Sequence, residues 1–380
     1  MMVPENEISA PVVSPLVSVI VPARNEEACL ERCLRSLVSQ QGVPFELIVV
    51  NDGSMDRTAE IAENFAHIND CPAIPPNSYL VSAEAIDARP LPSGWTGKAN
   101  AVFTGALRAH GEWLLFTDAD TEHRPNSLAR AVAEARSQGA DVLSYSPEQE
   151  VHGLAERALM PVIFSDLAMT YKPAEVSDSS CTAAAANGQY LLISRETYDA
   201  VGGHASVAGD LLEDVALARV VKRSGRKLFF RFGGDQVRAR MYRGWQQLRE
   251  GWTKNLALLF ANPERLALKR LVEFAVMALT PMLAAFAYLS GRGTLAVVAG
   301  LVAAVAIANF YLRIRRAHFD ALSTLLAFFG GPLFAYVLLS SVESRRANLV
   351  WWKGRSYPAT VTDGAVGESI DKDVAAARRD

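Results

Sequence analysis

The chain has 380 residues, half of them hydrophobic and 21% charged, with a formal net charge of -3. That length exceeds one ordinary core and leaves room for a catalytic domain plus something else. The slightly acidic balance excludes a globally basic nucleic-acid binder, yet eleven Lys or Arg between Arg219 and Lys254, against only Asp235 and Glu250, mark a local anionic partner such as a phosphate or a membrane surface.

In chain order, MMVPENEISAPVV has no basic start followed by a long apolar run, so no signal peptide is expected. LVSVIVPA (16–23) predicts a strand ended by Pro22, followed by a helix over 26–40. FELIVVND (45–52) predicts a second strand with a helix to residue 67, and 78–82 a weaker third strand with a helix over 98–109. EWLLFTD (112–118) is a fourth strand, with a helix after Pro125, and ADVLSYS (140–146) a fifth. Apolar strands alternating with helices of this length imply an α/β domain with a mostly parallel sheet covered on both faces. Ligands then bind outside the carboxyl ends of the strands, where Asn51-Asp52-Gly53 and Asp118-Ala119-Asp120 both fall. Cys29, Cys33, Cys71 and Cys181 form no metal-binding spacing and read as buried or half-buried thiols in a reducing compartment. Residues 151–172 are apolar enough to lie against a bilayer or to be a plain core helix.

From residue 271 the character changes. No charge occurs between Glu273 and Arg292, between Arg292 and Arg313, or between Asp320 and Glu343. Each window is about the ~20 residues that cross a bilayer. The expected layout is a tail over 1–15, a catalytic domain over 16–255, an interfacial helix over 256–270, membrane segments over 271–290, 293–312 and 321–342, and a basic interfacial segment with a disordered tail over 343–380. Because Phe329-Gly330-Gly331-Pro332 should break a helix, 321–342 is expected to be a re-entrant hairpin that returns WWKGRSY to the cytosol. This makes the chain a multi-pass protein of the inner (plasma) membrane with its catalytic domain in the cytoplasm.

The chemistry concentrates at four places. VPARNEE (Pro22, Arg24, Glu26) and VVNDGSMDRT (Asp52) suit hydrogen-bonded recognition of a base and ribose, although Asp-Gly-Ser is also an ordinary turn. In LPSGWTGKANAV, Lys98 opens a helix, which is either a phosphate seat or a surface loop with a solvated lysine. Asp118 and Asp120 repel unless a cation sits with them, and carboxylates plus substrate phosphates are a usual setting for Mg2+ or Mn2+ where a diphosphate leaves. Glu213 and Asp214 begin an amphipathic helix; acids there also suit the helix dipole, but Asp214 is the candidate base for an acceptor hydroxyl and Glu213 would orient its surroundings. RMYRGWQQLREGWTKN offers Arg249 and Trp252 either as acceptor-channel and diphosphate contacts or as interface anchors.

In this order the motifs resemble family 2 glycosyltransferases of the GT-A fold over about residues 16–255. The resemblance implies an inverting, metal-dependent transfer from a nucleotide-diphosphate sugar, a UDP-sugar being expected, by an enzyme of the hexosyltransferase type. It also implies Asp52 as the base-contacting acid, Asp118 and Asp120 as the Asp-x-Asp pair with Asp120 the firmer ligand, and Asp214 as the base. The family's Gln-x-x-Arg-Trp set is interrupted here, since Glu250-Gly251 separates Arg249 from Trp252. LPSGWTGKANA, NGQYLLIS, VGGHASV and LLEDVALA are similar to the subgroup that glycosylates carotenoid acids or accompanies hopanoid synthesis. A lipid acceptor receiving one sugar is the leading expectation; a processive polysaccharide synthase and a silent nucleotide-binding scaffold are the alternatives.

Overall fold

The computed structural model describes residues 14–67, 71–347, 350–352 and 355–357. The expectations for the first thirteen residues and for the disordered tail from 358 onward lie outside the described residues, as does part of WWKGRSY.

The chain begins with β1 (Val17–Ala23), α1 (Leu30–Val38), β2 (Phe45–Asn51), α2 (Thr58–Ala66), β3 (Leu80–Asp87), α3 (Gly97–Arg108) and β4 (Trp113–Phe116). It continues through β5 (Thr121–His123), α4 (Ser127–Gln138), β6 (Val142–Ser146), β7 (Glu148–Gln149), α5 (Leu154–Thr170), α6 (Pro173–Ser177), β8 (Leu191–Ser194) and α7 (Arg195–Ala200). Then come α8 (Glu213–Arg223), β9 (Leu228–Phe232), β10 (Val237–Ala239) and α9 (Trp245–Asn255).

Seven strands form one sheet in the order β3-β2-β1-β4-β8-β6-β9. It is mostly parallel: β1 pairs in parallel with β2 and β4, β2 with β3, and β6 with β9, whereas β8 runs antiparallel to both β4 and β6. Period-two alternation places Val17, Val19 and Val21 on one face with Leu30, Leu34 and Leu37 of α1, and Ile20 on the other face with Ala101 and Val102 of α3. A β-carbon at Gly105 would stand 2.5 Å from Ile20 Cγ2, so glycine is what lets α3 ride close on β1. Because β2 and β3 lie on one side of β1 and β4 on the other, the chain reverses direction across the sheet between β1 and β4. That switch point opens a crevice at the strand ends. β5, β7 and β10 form a small second sheet beside it.

Three further helices, α10 (Pro263–Leu289), α11 (Gly293–Ile314) and the stretch Ala321–Arg346, are long and apolar enough to cross a membrane. α10 and α11 leave leucines, valines and aromatics such as Leu279, Phe286, Val297 and Leu301 exposed, which suits a lipid environment. Two expectations are corrected here. No separate interfacial helix covers 256–270: a 3-10 turn (Leu256–Leu258) precedes α10, which Pro263 opens at its first turn and which continues unbroken past residue 271. Nor does Gly330-Gly331-Pro332 reverse the chain. α12 (Ala321–Leu326) tightens into a 3-10 turn (Ala327–Phe329) and continues as α13 (Gly330–Arg346) with right-handed helical backbone at Ala327, Phe329 and Gly330. The glycines serve close packing instead, since a β-carbon at Gly330 would fall 2.0 Å from the Ala158 carbonyl oxygen of α5.

α5 is shared between the two regions. Its Leu159, Met160, Val162 and Ile163 belong to an apolar core with Trp252, Leu256, Phe310, Phe334 and Leu338. Asp166, on the same helix, is paired with Arg270 of α10 at 2.5 Å and Arg313 of α11 at 3.2 Å, while Glu273 takes both arginines at 2.9 and 2.6 Å. Asp166 and Arg270 are buried, so each charge depends on its partners. Asp166→Ala would leave Glu273 alone to balance the two arginines, one of them buried, and is expected to cost about 3–5 kcal/mol, as for other broken buried pairs. Thermal unfolding of the detergent-solubilised chain measures it, and an unchanged midpoint would contradict this account of the quartet.

Candidate active site

Several of the candidate residues meet at the carboxyl ends of the strands beside the switch point. Pro22, near the end of β1, borders a small recess together with Lys98, Asp118, Gly188, Glu213 and Asp214. The turn that carries Asp118 and Asp120 is fixed from below. Thr121 donates its hydroxyl to the Asp118 carbonyl at 2.8 Å, Thr117 donates to the Gln189 carbonyl at 2.8 Å, and the Arg240 amide donates to the Asp120 carbonyl at 3.0 Å.

Lys98 is the hub. Thr96 caps α3 by accepting from the Ala99 amide at 3.1 Å, which sets Lys98 in the first turn of the helix. Its ammonium reaches Asp118 Oδ1 at 2.8 Å and Glu213 Oε1 at 2.9 Å, joining the end of β4 to the start of α8. Burial works against the ammonium, but Asp118, Glu213 and Asp214 outweigh it and hold its pKa well above the ordinary lysine value.

Two acids retain shifted carboxyl groups. Asp120 is pushed up to about 7 by burial first and then by Asp118 and Glu26; the Gln189 side-chain amide, 3.3 Å from both its oxygens, only partly offsets this. Asp214 is pushed up to about 6, by burial and then by Glu213, although its oxygens accept from the Gly188 amide at 2.7 Å and the Val215 amide at 2.8 Å. In both, burial and a neighbouring carboxylate disfavour the ionised form.

The donor set fits a divalent cation. Asp118 and Asp120 supply hard oxygen ligands, and burial together with the charges of Asp118 and Glu26 disfavours an unneutralised Asp120 carboxylate. Among the described residues no three His, Cys, Asp or Glu side chains form a cage of their own. A cation here would therefore share its coordination with substrate oxygens and water, as Mg2+ commonly does.

Asp52 is buried at the end of β2, and its amide donates to the Ala23 carbonyl at 2.8 Å. Arg24 Nη1 donates to the carbonyls of Asp52 and Gly53, which ties the loops after β1 and β2 together. Glu26, beyond β1, adds to the negative field at Asp120. Trp252 lies buried in the cavity wall with its Nε1 donating to Met160 Sδ at 3.3 Å. Arg249 is a correction: α9 buries Leu248, Gly251 and Trp252, which turns Arg249 out to solvent and away from the cavity lining.

That cavity, about 670 Å3, continues from Lys98, Asp118, Glu213 and Asp214 into an apolar stretch bounded by Phe164, Leu167, Tyr171, Phe230 and Leu259. Arg315, Arg316 and His318, from the loop after α11, also line it, and His318 stacks on Phe232 at 4.1 Å. Sequence reasoning missed Gln189, Lys254 and this loop. Lys254 also lines the cavity, and burial lowers its pKa to about 8 against the pull of Glu213. The basic run that contains Lys254 was the only signal for it.

Residues 18–192 match the family model for glycosyl transferase family 2. The 4,4'-diaponeurosporenoate glycosyltransferase of Staphylococcus aureus (strain USA300) is 28% identical over 355 residues, covering 90% of this chain and 88% of that one. Its counterpart from strain MRSA252 is 31% identical over 250 residues, 63% of this chain and 60% of that one. Among solved structures, a mannosyltransferase from Pyrobaculum calidifontis in complex with GDP-Man and Mn2+ superposes with a TM-score of 0.50 at 20% identity, covering 88% of each chain. With the crevice, the acids and these likenesses together, the chain is a glycosyltransferase of the GT-A fold whose residues 18–192 match the glycosyl transferase family 2 model.

Proposed function

We propose that this enzyme moves one sugar, with inversion, from a nucleotide-diphosphate sugar to a membrane lipid at the cytoplasmic face of the inner membrane. The observation that carries the proposal is the cavity, which begins at paired carboxylates and ends between an apolar wall and the loop joining two apolar helices. An apolar wall suits a lipid chain better than a hydrated glycan. The S. aureus relative is named for diaponeurosporenoate, and the P. calidifontis enzyme was solved with a nucleotide sugar and Mn2+.

In this reading Asp52 contacts the base, with Pro22, Arg24 and Glu26 shaping the loop beside it. Lys98 and the amino end of α3 face the diphosphate with positive charge. A divalent cation, Mg2+ or Mn2+, held by Asp118 and Asp120, would supply further charge neutralisation for the leaving diphosphate. Asp214 takes the proton from the acceptor hydroxyl as its oxygen bonds to the anomeric carbon. The bond from that carbon to the phosphate oxygen breaks on the opposite side, and the nucleoside diphosphate leaves. Glu213, held by Lys98, keeps Asp214 in a negative environment that raises its affinity for the proton.

Incubating membranes that contain the enzyme with a panel of labelled nucleotide sugars, then extracting lipid, should yield one labelled lipid and no long polymer. Asp120→Ala should lose cation-dependent donor binding. Asp214→Asn should keep donor binding and lose about 10²–10⁴-fold in transfer, as for other general bases. An acceptor that arrives as a carboxylate has no proton to give, so full turnover in Asp214→Asn would move the assignment from a hydroxyl to a carboxyl acceptor.

The pH profile follows from the same group. Burial and Glu213 raise the Asp214 pKa to about 6, and only the ionised carboxylate can accept a proton. At saturating cation, which keeps Asp120 ionised, log kcat/KM should therefore be level above that pH and fall with unit slope below it. In Asp214→Asn the acid limb should disappear.

A further inference from the structure

We infer that the helical stretch 321–346 lies in the plane of the membrane surface, with one apolar face among the lipid acyl chains beside the headgroups, so that the chain crosses the bilayer only through α10 and α11. The inference rests on reading α10 and α11 as membrane-crossing. Length alone argues the other way, since 26 helical residues extend about 39 Å at ~1.5 Å each, enough for a full crossing.

The level of the membrane is marked by charge. α10 carries its last charged side chain at Glu273, and α11 meets its next at Arg313. Both are joined to Arg270 and to Asp166 of the catalytic domain in one buried quartet. Such a cluster stands at the inner edge of the hydrocarbon, because charged groups are expensive farther in. A crossing helix would have its middle halfway along the charge-free part of α10. Instead, the middle of 321–346 sits level with the quartet: a β-carbon at Gly331 would stand 3.3 Å from the Arg270 carbonyl oxygen and 3.4 Å from Phe274 Cβ.

Both ends of the stretch return to the same side. At its start, Asp320 pairs with Arg157 of α5 at 3.1 Å, and Arg157 also donates to Ser323 at 3.1 Å. At its end, Arg346 pairs with Glu264, in the first turn of α10, at 2.5 Å. Between them Ser341 accepts from the Ala257 amide at 3.0 Å, and Tyr336 stacks with Trp245 of α9 at 6.3 Å. One helix cannot begin and end beside the catalytic domain and also traverse the bilayer.

The packing matches. Across the most apolar 18 residues of each, half are buried within the protein in this stretch, against 11% for α10 and 17% for α11 with the turn that follows it. Ala327, Phe334, Ala335, Val337 and Leu338 face inward, whereas Leu322, Leu325, Phe329, Tyr336 and Leu339 stay exposed. Their spacing, at steps of three, four, seven and three, traces one stripe along a helix. Phe328, beside Phe329, packs on Phe274 of α10 at 5.4 Å, and Tyr311 of α11 donates to the Leu325 carbonyl at 3.4 Å, so the stripe adjoins the exposed apolar helices α10 and α11 and acyl chains are its occupant.

Single-cysteine variants of the full chain test this in spheroplasts with a membrane-impermeant maleimide, using the unsubstituted chain as background. Ser290→Cys, between α10 and α11, should label from outside, and Ala347→Cys only after lysis. External labelling of Ala347→Cys would mean a third crossing and overturn the inference. Failure of Ser290→Cys to label from outside would remove the crossing on which it rests, and the inference with it. Independently, nitroxides at Leu322→Cys, Phe329→Cys and Leu339→Cys in vesicles should report one shallow depth. A maximum of depth at Phe329→Cys, with both neighbours near opposite surfaces, would equally overturn it.

Discussion

The site depends on one ammonium group. Asp118, Asp120, Glu213 and Asp214 gather at one crevice, and like charges at that proximity repel. Lys98 bridges the first motif to the second and so fixes the end of β4 relative to the start of α8. It can do so because α3 lies close on β1, which Gly105 permits. Its single charge is shared among three carboxylates, and Asp120 and Asp214 keep raised affinities for positive partners. The remaining imbalance is what the proposed function uses, with Asp120 offered to a cation and Asp214 to a proton.

Much of this was legible in the residues. β1, β2, β4 and β6 are β-branched or apolar runs stopped by turn residues, and the structure begins and ends them within two residues of the expected limits. A parallel arrangement then required Asp52 and Asp118 to share one edge of the sheet. What could not be read depends on partners distant in sequence. β8 enters between β4 and β6 in the opposite direction, and nothing in NGQYLLIS announces an antiparallel insertion. Gln189, just before β8, meets Asp120 only because of it. The first turn of α8 was anticipated, but its bond to Lys98 spans more than a hundred residues. Gly330 and Gly331 were misread for the same reason. By local propensity they are breakers, and only the neighbouring α5 and α10 reveal them as places where backbones approach closely.

α5 links chemistry to membrane. Phe164 and Leu167 help line the cavity while Asp166, between them, engages Arg270 and Arg313. A helix that contributes a wall to the site and an anchor to the apolar helices leaves little freedom for the catalytic domain to swing against them. The shared core of Leu159, Val162, Trp252 and Phe334 adds the same constraint without charge.

The quartet around Asp166 also acts as a ruler. With α10 and α11 in the bilayer, as proposed above, it would pin the crevice at a fixed elevation above the hydrocarbon, and the reacting carbon of the sugar would wait at a constant height. With a membrane lipid as the acceptor, as proposed above, acceptors would be sorted by stature: a molecule whose nucleophilic oxygen stood too low among the acyl tails, or too far out on a long polar stalk, would miss the carboxylates however well its tail fitted the groove.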